Sequence, residues 1–514
     1  DIYVRAALAE SFSLVFLPLV FWAFFELVRR PTFRALVMAA GAYAALILSS
    51  NVLLLIATPV LALMVVFLLL VDVVDFRRRT RHMQEAIPSL LRIVSRAIPP
   101  AVGFGLGLGL LAGFLLPAIL ERQYVRLDQW FGGRYTFGSD FVHFFQLFSP
   151  RWGFGASIPG PDDMTGFQLG LAPVVLALFS LLLASRLKDP LVRWFIVGWQ
   201  VITLGTVYLM TPASAWLWQA FPILQSLQFP WRLGVMAVLG LAAVGGVVVS
   251  DDLWPKADPG EDTPKTQLLA VILLAALVLL SSYPYLQAQV RPPNENEGPV
   301  SLAALFRYQQ ASDEMTGTTA WARRIPAWSP LAEQVVQGGA IDTKVNYTEA
   351  MAAEQLAVGS VEMDTVHELV WVYAADDQQQ VTFMTAFFPG WKAYVYQDLG
   401  LEAGDLLERV GPLIEQPVIE TTPYEGWIVV PVPEGEHFLE VRFEDTPVRT
   451  VGKAISLLSL VLLLAGAVLW RRWSRIGGGT DMAEKPSPPT ASRNRMHPLT
   501  SRSKTRTGKG HAKR

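Results

Sequence analysis

Residues 52–71 read VLLLIATPVLALMVVFLLLV, with no charged side chain, and Arg77, Arg78, Arg79 and Arg81 follow close behind. A helix needs about 20 apolar residues to cross a hydrocarbon core about 30 Å thick, so this run is long enough to span a bilayer. Lipid offers no water to backbone N–H and C=O groups, so such a run folds as a helix and not as an open strand. The arginines then mark the side of the membrane on which the segment ends.

Eight more stretches read the same way, near 8–28, 33–50, 98–120, 168–185, 193–210, 231–250, 267–284 and 453–470. The expectation is a polytopic α-helical membrane protein with nine spans. Basic residues follow alternate spans: Arg29, Arg30 and Arg34; the Arg77–Arg81 group; Arg186, Lys188 and Arg193; and Arg471, Arg472 and Arg475. The positive-inside bias puts all four groups in the cytoplasm, and nine alternating spans satisfy them together. The acidic loop of Asp251, Asp252, Glu261 and Asp262 is cytoplasmic by parity alone. The N-terminus of the chain then lies outside. Residue 1 is Asp and a span follows almost at once, so the expectation is that an N-terminal part of a larger protein is missing.

The domain plan follows. Residues 1–284 form a transmembrane bundle with an extracytoplasmic loop at 121–166, rich in aromatics, Gly and Pro. Residues 285–452 lose the hydrophobic bias. Alternating runs at 368–373, 381–388, 426–431 and 437–443, separated by Pro-Gly and Asp-rich turns, predict an extracytoplasmic β-rich, sandwich-like domain. Segment 301–312 is a helix or a covering loop. Residues 453–470 make the last span, and 471–514 a basic cytoplasmic tail, disordered after Gly477.

Composition excludes several chemistries. The chain is 52% hydrophobic and 17% charged, with net charge −2 and no cysteine. Thiolate nucleophiles, disulfides and cysteine metal sites are therefore out. His82, His143, His367, His437, His497 and His511 are scattered without metal-ligand spacing. The run Gly103-Phe104-Gly105-Leu106-Gly107-Leu108-Gly109 lies inside an apolar span with no preceding strand, so it is read as helix packing and not as a nucleotide loop. Gly105, Gly109 and Gly113 share one helix face and allow close approach of another helix. Segment 76–96 is basic and partly amphipathic and is placed along the cytoplasmic interface. The tail cations, Arg493 to Arg514, lack interleaved aromatics, so a solvated or lipid-facing tail is favoured over nucleic-acid binding.

Charged residues near the predicted outer face are the candidates for function. Arg5 and Glu10 enter the first span, where the bland role is reaching the headgroups and the functional one is lining a polar cavity. Asp140 and His143 are three apart, a spacing that puts both on one face if the segment is helical. In Leu227-Gln228-Phe229-Pro230-Trp231-Arg232, Pro230 suits a first helical turn and Trp231 the interfacial belt. Arg232 either anchors there or turns inward to grip a phosphate with its forked donors.

Asp1–Glu10 (DIYVRAALAE) resembles the DLYVRGALAE segment of the bacterial 6-pyruvoyl-tetrahydropterin synthase-related membrane proteins. The likeness extends through Asp140–Phe144, Trp152–Gly155, Phe167–Gly170, Gln228–Arg232 and Phe388–Ala393. That family is similar to the C-type membrane glycosyltransferases, which take sugars from polyprenyl-phosphate donors on the outer face. The resemblance implies a catalytic carboxylate in a loop upstream of Asp1. It also marks a departure: Thr319–Pro326 (TAWARRIP) stands where relatives have a TS-x-GEYLP-like stretch, with Arg for the acidic residue.

The function expected is transfer of a lipid-phosphate-linked sugar to a cell-envelope acceptor at the bacterial inner membrane. Arg5 and Arg232 would contact phosphate, and Glu10, Asp140 and His143 would serve acid–base or positioning roles. A divalent metal is compatible with such chemistry, but no ligand set is visible. The alternative is a non-catalytic scaffold or polysaccharide-export component; a transporter ranks third, because mid-span charge is scarce.

Overall fold

The computed structural model describes residues 8–79, 89–128, 136–149, 158, 160, 162, 165–250, 253, 265–283, 317–324, 329–353, 355–400 and 406–477. Two compact units are distinguished, Asp1–Leu463 and Leu464–Arg514; the first holds the helical bundle and a β-domain. The principal helices are α1 (Leu8–Arg29), α2 (Phe33–Ser49), α3 (Asn51–Arg79), α4 (Ser89–Leu110), α5 (Ala112–Leu120), α6 (Leu171–Leu183), α7 (Pro190–Met210), α8 (Gly234–Gly245), α9 (Lys265–Ser282) and α10 (Pro447–Gly477).

Each predicted apolar stretch coincides with helix. Among the described residues, 6 helices are long and apolar enough to cross a membrane: Leu8–Arg29, Asn51–Arg78, Ile93–Leu110, Pro190–Met210, Pro230–Val249 and Pro447–Arg472. Phe33–Ser49, Leu171–Arg186 and Leu268–Ser282 are apolar but shorter. The chain is thus a helical membrane protein carrying a β-domain. The stretch expected as one span at 98–120 is divided: α4 starts earlier, at Ser89, and the backbone breaks at Leu111 before α5. The expected interfacial segment 76–96 is helical at both ends, in α3 and α4, and its middle lies outside the described residues.

Without a hydrophobic force between helices in lipid, close packing holds a bundle together. Phe24, Tyr43 and Phe104 pack together where α1, α2 and α4 meet, and Phe24 and Tyr43 are fully buried. The glycine-rich segment faces three helices here. A Cβ on Gly107 would meet Tyr43 Cδ1 at 2.7 Å, and one on Gly103 would meet Leu27 at 3.2 Å. Gly109 and Gly113 instead face α10, at Ser459 and Lys453, and the Gly113 N–H donates to Ser456 Oγ at 3.0 Å. Gly105, expected on that same face, has open space around it.

At one end of the bundle Arg29 pairs with Asp189 at 2.8 Å, tying the end of α1 to the cap of α7. The other end carries the β-domain. A five-stranded antiparallel sheet, order β1-β2-β8-β4-β5, packs on a three-stranded one, order β3-β7-β6. The strands are β1 (Leu356–Met363), β2 (His367–Ala374), β3 (Gln380–Ala386), β4 (Trp391–Asp398), β5 (Val410–Glu415), β6 (Glu420–Thr421), β7 (Trp427–Pro431) and β8 (Gly435–Phe443). Val370, Val372, Val395, Ile428, Val430 and Leu439 are fully buried between the sheets. Each contributes about 1.5–3 kcal/mol by leaving water, and their alternation is the period-2 signal in the sequence. Segment 301–312 and residues 478–514 of the tail lie outside the described residues.

Candidate functional site

Glu10 sits in the first turn of α1, and Arg232 in the 3-10 turn Pro230–Leu233 that leads into α8. Their side chains meet with Arg232 Nε 3.5 Å from Glu10 Oε1. Both are largely withdrawn from solvent, at 14% and 13% exposure. A charge pair this dry is costly to make and costly to break, because removing one partner strands the other.

Local backbone aims the arginine. Gln228 is the non-glycine residue with positive φ among those described, at 63°. Non-glycine residues rarely adopt that conformation, so it is held by its surroundings. It reverses the chain so that Arg232 Nη1 donates to Leu227 O at 2.9 Å and to Gln228 Oε1 at 2.8 Å. Phe229 and Trp231 stack at 5.2 Å and 12°, with the guanidinium 5.0 Å from the Phe229 centroid and 5.8 Å from that of Trp231. Phe167 extends the platform, 5.9 Å and 20° from Trp231.

The platform joins the site to the 137–169 region. Phe167 N–H donates to Gln146 O and Leu169 N–H to Leu147 O, each at 3.0 Å. Gln146 is fully buried; its Oε1 accepts the His143 N–H at 2.7 Å and its Nε2 donates to Thr165 O at 3.0 Å. The helix face expected to carry Asp140 and His143 does not form. Asp140 closes one 3-10 turn, Phe137–Ser139, while His143 precedes another, Phe144–Leu147, with extended backbone at φ −82°, ψ 150°. Val142, fully buried between them, donates to Met210 O at 2.8 Å and fixes this loop on the end of α7. Arg5 lies outside the described residues. Of the candidates, then, Glu10 and Arg232 are brought into contact, and His143 is linked to them through Gln146, Phe167 and Trp231.

A second polar contact escaped sequence reasoning. Glu121, 4% exposed at the end of α5, receives Arg449 Nε at 3.1 Å and Nη2 at 3.0 Å, and the Thr446 hydroxyl. Arg449 also lies over Phe443 and Phe388, at 4.7 and 5.3 Å. The signal was present only as a charge at each span edge; nothing in sequence pairs them. The 319–324 segment makes contacts of its own. Arg324 pairs with Glu425 at 2.8 Å and covers the Tyr424 ring, while Trp321 stacks on Tyr124 at 5.9 Å, so 319–324 ties the turn after α5 to the β-domain.

Among the described residues no three His, Cys, Asp or Glu side chains are grouped so as to hold a metal ion. No protein-family model, curated protein or solved structure matches the chain.

Proposed function

We propose that the protein is an integral membrane glycosyltransferase-like protein of nine spans and C-type architecture. It takes a sugar from a polyprenyl-phosphate donor to a cell-envelope acceptor on the outer face of a bacterial inner membrane. The observation that carries this reading is the Glu10–Arg232 contact at the β-domain end of the bundle. It sets a carboxylate and a guanidinium side by side, largely withdrawn from solvent, beside an aromatic platform. The motif resemblance to the 6-pyruvoyl-tetrahydropterin synthase-related membrane proteins supports the same reading.

The chemistry is then as follows. Arg232 offers a forked, permanently charged donor to the donor phosphate, where negative charge grows as the sugar leaves. Glu10, beside that cation, takes the proton of the acceptor hydroxyl. The acceptor oxygen bonds to the anomeric carbon as the carbon–oxygen bond to phosphate breaks, and polyprenyl phosphate departs with that electron pair. Stacked Phe229, Trp231 and Phe167 give a flat apolar surface for the sugar ring or the first isoprene units.

The test is transfer of labelled sugar from a panel of polyprenyl-phosphate donors, in membranes containing the protein. Glu10→Gln keeps size and removes charge. Transfer is expected to fall by at least about a hundredfold at unchanged protein abundance. Full transfer by that variant would contradict the reading. It would favour the scaffold alternative, which the structural hydrogen bonds of Arg232 to Leu227 and Gln228 also fit.

A further inference from the structure

At the foot of the β-domain, away from the Glu10–Arg232 pair in sequence and in lining, lies a cavity of about 460 Å³. That size falls in the range of about 300–1,000 Å³ typical of small-molecule sites. Its apolar wall is Phe114, Pro117 and Ala118 of α5. The helices can come together behind it because Gly113 and Gly452 meet there: a Cβ on Gly452 would touch Ala112 O at 2.7 Å. Its charged rim is Glu121, Arg122, Asp445, Arg449 and Lys453.

The charges do not cancel. Arg449 is held by Glu121, and Lys453 by Asp445. Those pairs use both carboxylates and leave Arg122, which is exposed and makes no hydrogen bond or ion pair through its side chain among the described residues. A surplus guanidinium therefore stands over an apolar wall. The wall belongs to a helix whose next residues, Ile119 and Leu120, are 56% and 54% exposed, as suits a lipid-facing surface.

The geometry points to a binding site for an anionic lipid, its chain against Phe114, Pro117 and Ala118 and its headgroup phosphate on Arg122. A free anion would gain nothing from the apolar wall, and a neutral or zwitterionic lipid would leave the surplus charge unmatched. Phe388 of the β-domain and Arg449 of α10 also line the cavity, so an occupant would bind the domain to the bundle.

The full chain in detergent is the test, with phosphatidylglycerol, phosphatidylcholine or inorganic phosphate added separately. Retained lipid is read by native mass spectrometry, and the unfolding temperature is recorded. Phosphatidylglycerol is expected to be retained and to raise the unfolding temperature. Arg122→Gln, at an exposed position, should bind it about tenfold more weakly, and Ala118→Phe should block it by filling the wall. Retention of phosphatidylcholine equal to phosphatidylglycerol would overturn the proposal. So would equal protection by inorganic phosphate, or undiminished binding by Arg122→Gln.

Discussion

A single side chain, Arg232, carries much of the candidate site, because its Nη1 donates to the chain-reversing Leu227–Gln228 segment while its guanidinium pairs with the Glu10 carboxylate. Arg232→Ala should cost about 2 kcal/mol, the value of a charge-assisted hydrogen bond, read as a lower unfolding temperature in detergent. Lysine should restore much of that stability without the fork, and so separate folding from phosphate recognition. Two residues of the β-domain give pH signatures. Burial pushes the Asp398 carboxyl up, but hydrogen bonds from Arg409, the Gly400 N–H and the Trp371 indole outweigh it and leave the group below its ordinary value. The stability it supplies is full above the unfolded value of about 3.9 and is lost as pH falls through the lower folded one. Asp398→Asn should flatten that acid limb in near-ultraviolet circular dichroism. Tyr396 runs the other way: burial and its hydrogen bond to Glu440, at 2.7 Å, push the phenol up to about 12. Its contribution holds below about pH 10 and fades as pH climbs toward the folded value. Tyr396→Phe should remove a late phenolate absorbance step in an alkaline titration.

Among elements, α4 offers the sharpest comparison, because its glycines differ in what they face. Gly105→Ala meets open space and should gain about 0.5–1 kcal/mol from helix propensity. Gly107→Ala drives a methyl into Tyr43 and should destabilise by about 1–3 kcal/mol. The pair of unfolding temperatures checks both. Sequence reasoning found the helix and the idea of close approach, but assigned Gly105 to the packed face. The helix period says which glycines align, not how far a neighbour extends along them. Strands were legible for a related reason: every second residue of β2, β3, β7 and β8 enters the core between the sheets, as Val370 and Val372, Val381 and Phe383, Ile428 and Val430, and Leu439 and Val441 do, although neighbours such as Leu369, Thr382 and Val429 are buried as well. The 140–143 segment was not, since spacing of three means a shared face only if the backbone is helical, and here 3-10 turns flank extended residues.

At the scale of the molecule, the bundle and the β-domain meet where Glu121, at the end of α5, holds Arg449 of α10 over Phe443 and Phe388 of the β-domain, residues far apart in sequence. Apolar runs announce membrane helices because each satisfies its own backbone, a local property. Which span edge pairs with which is a property of the assembled bundle, so the Glu121 contact was invisible, whereas Glu10 and Arg232 could be proposed separately but not as partners. Glu121→Ala leaves Arg449 without its carboxylate and should speed proteolytic release of the β-domain several-fold in limited digestion, with the bundle fragment intact. If the Glu10–Arg232 site grips a lipid phosphate, binding of polyprenyl phosphate against polyprenol to the full chain in nanodiscs reads it most directly. Polyprenyl phosphate should bind more tightly than polyprenol, and Arg232→Lys should weaken that binding about tenfold. Equal binding of phosphate and alcohol, or binding by Arg232→Lys as tight as by the native chain, would contradict the phosphate reading.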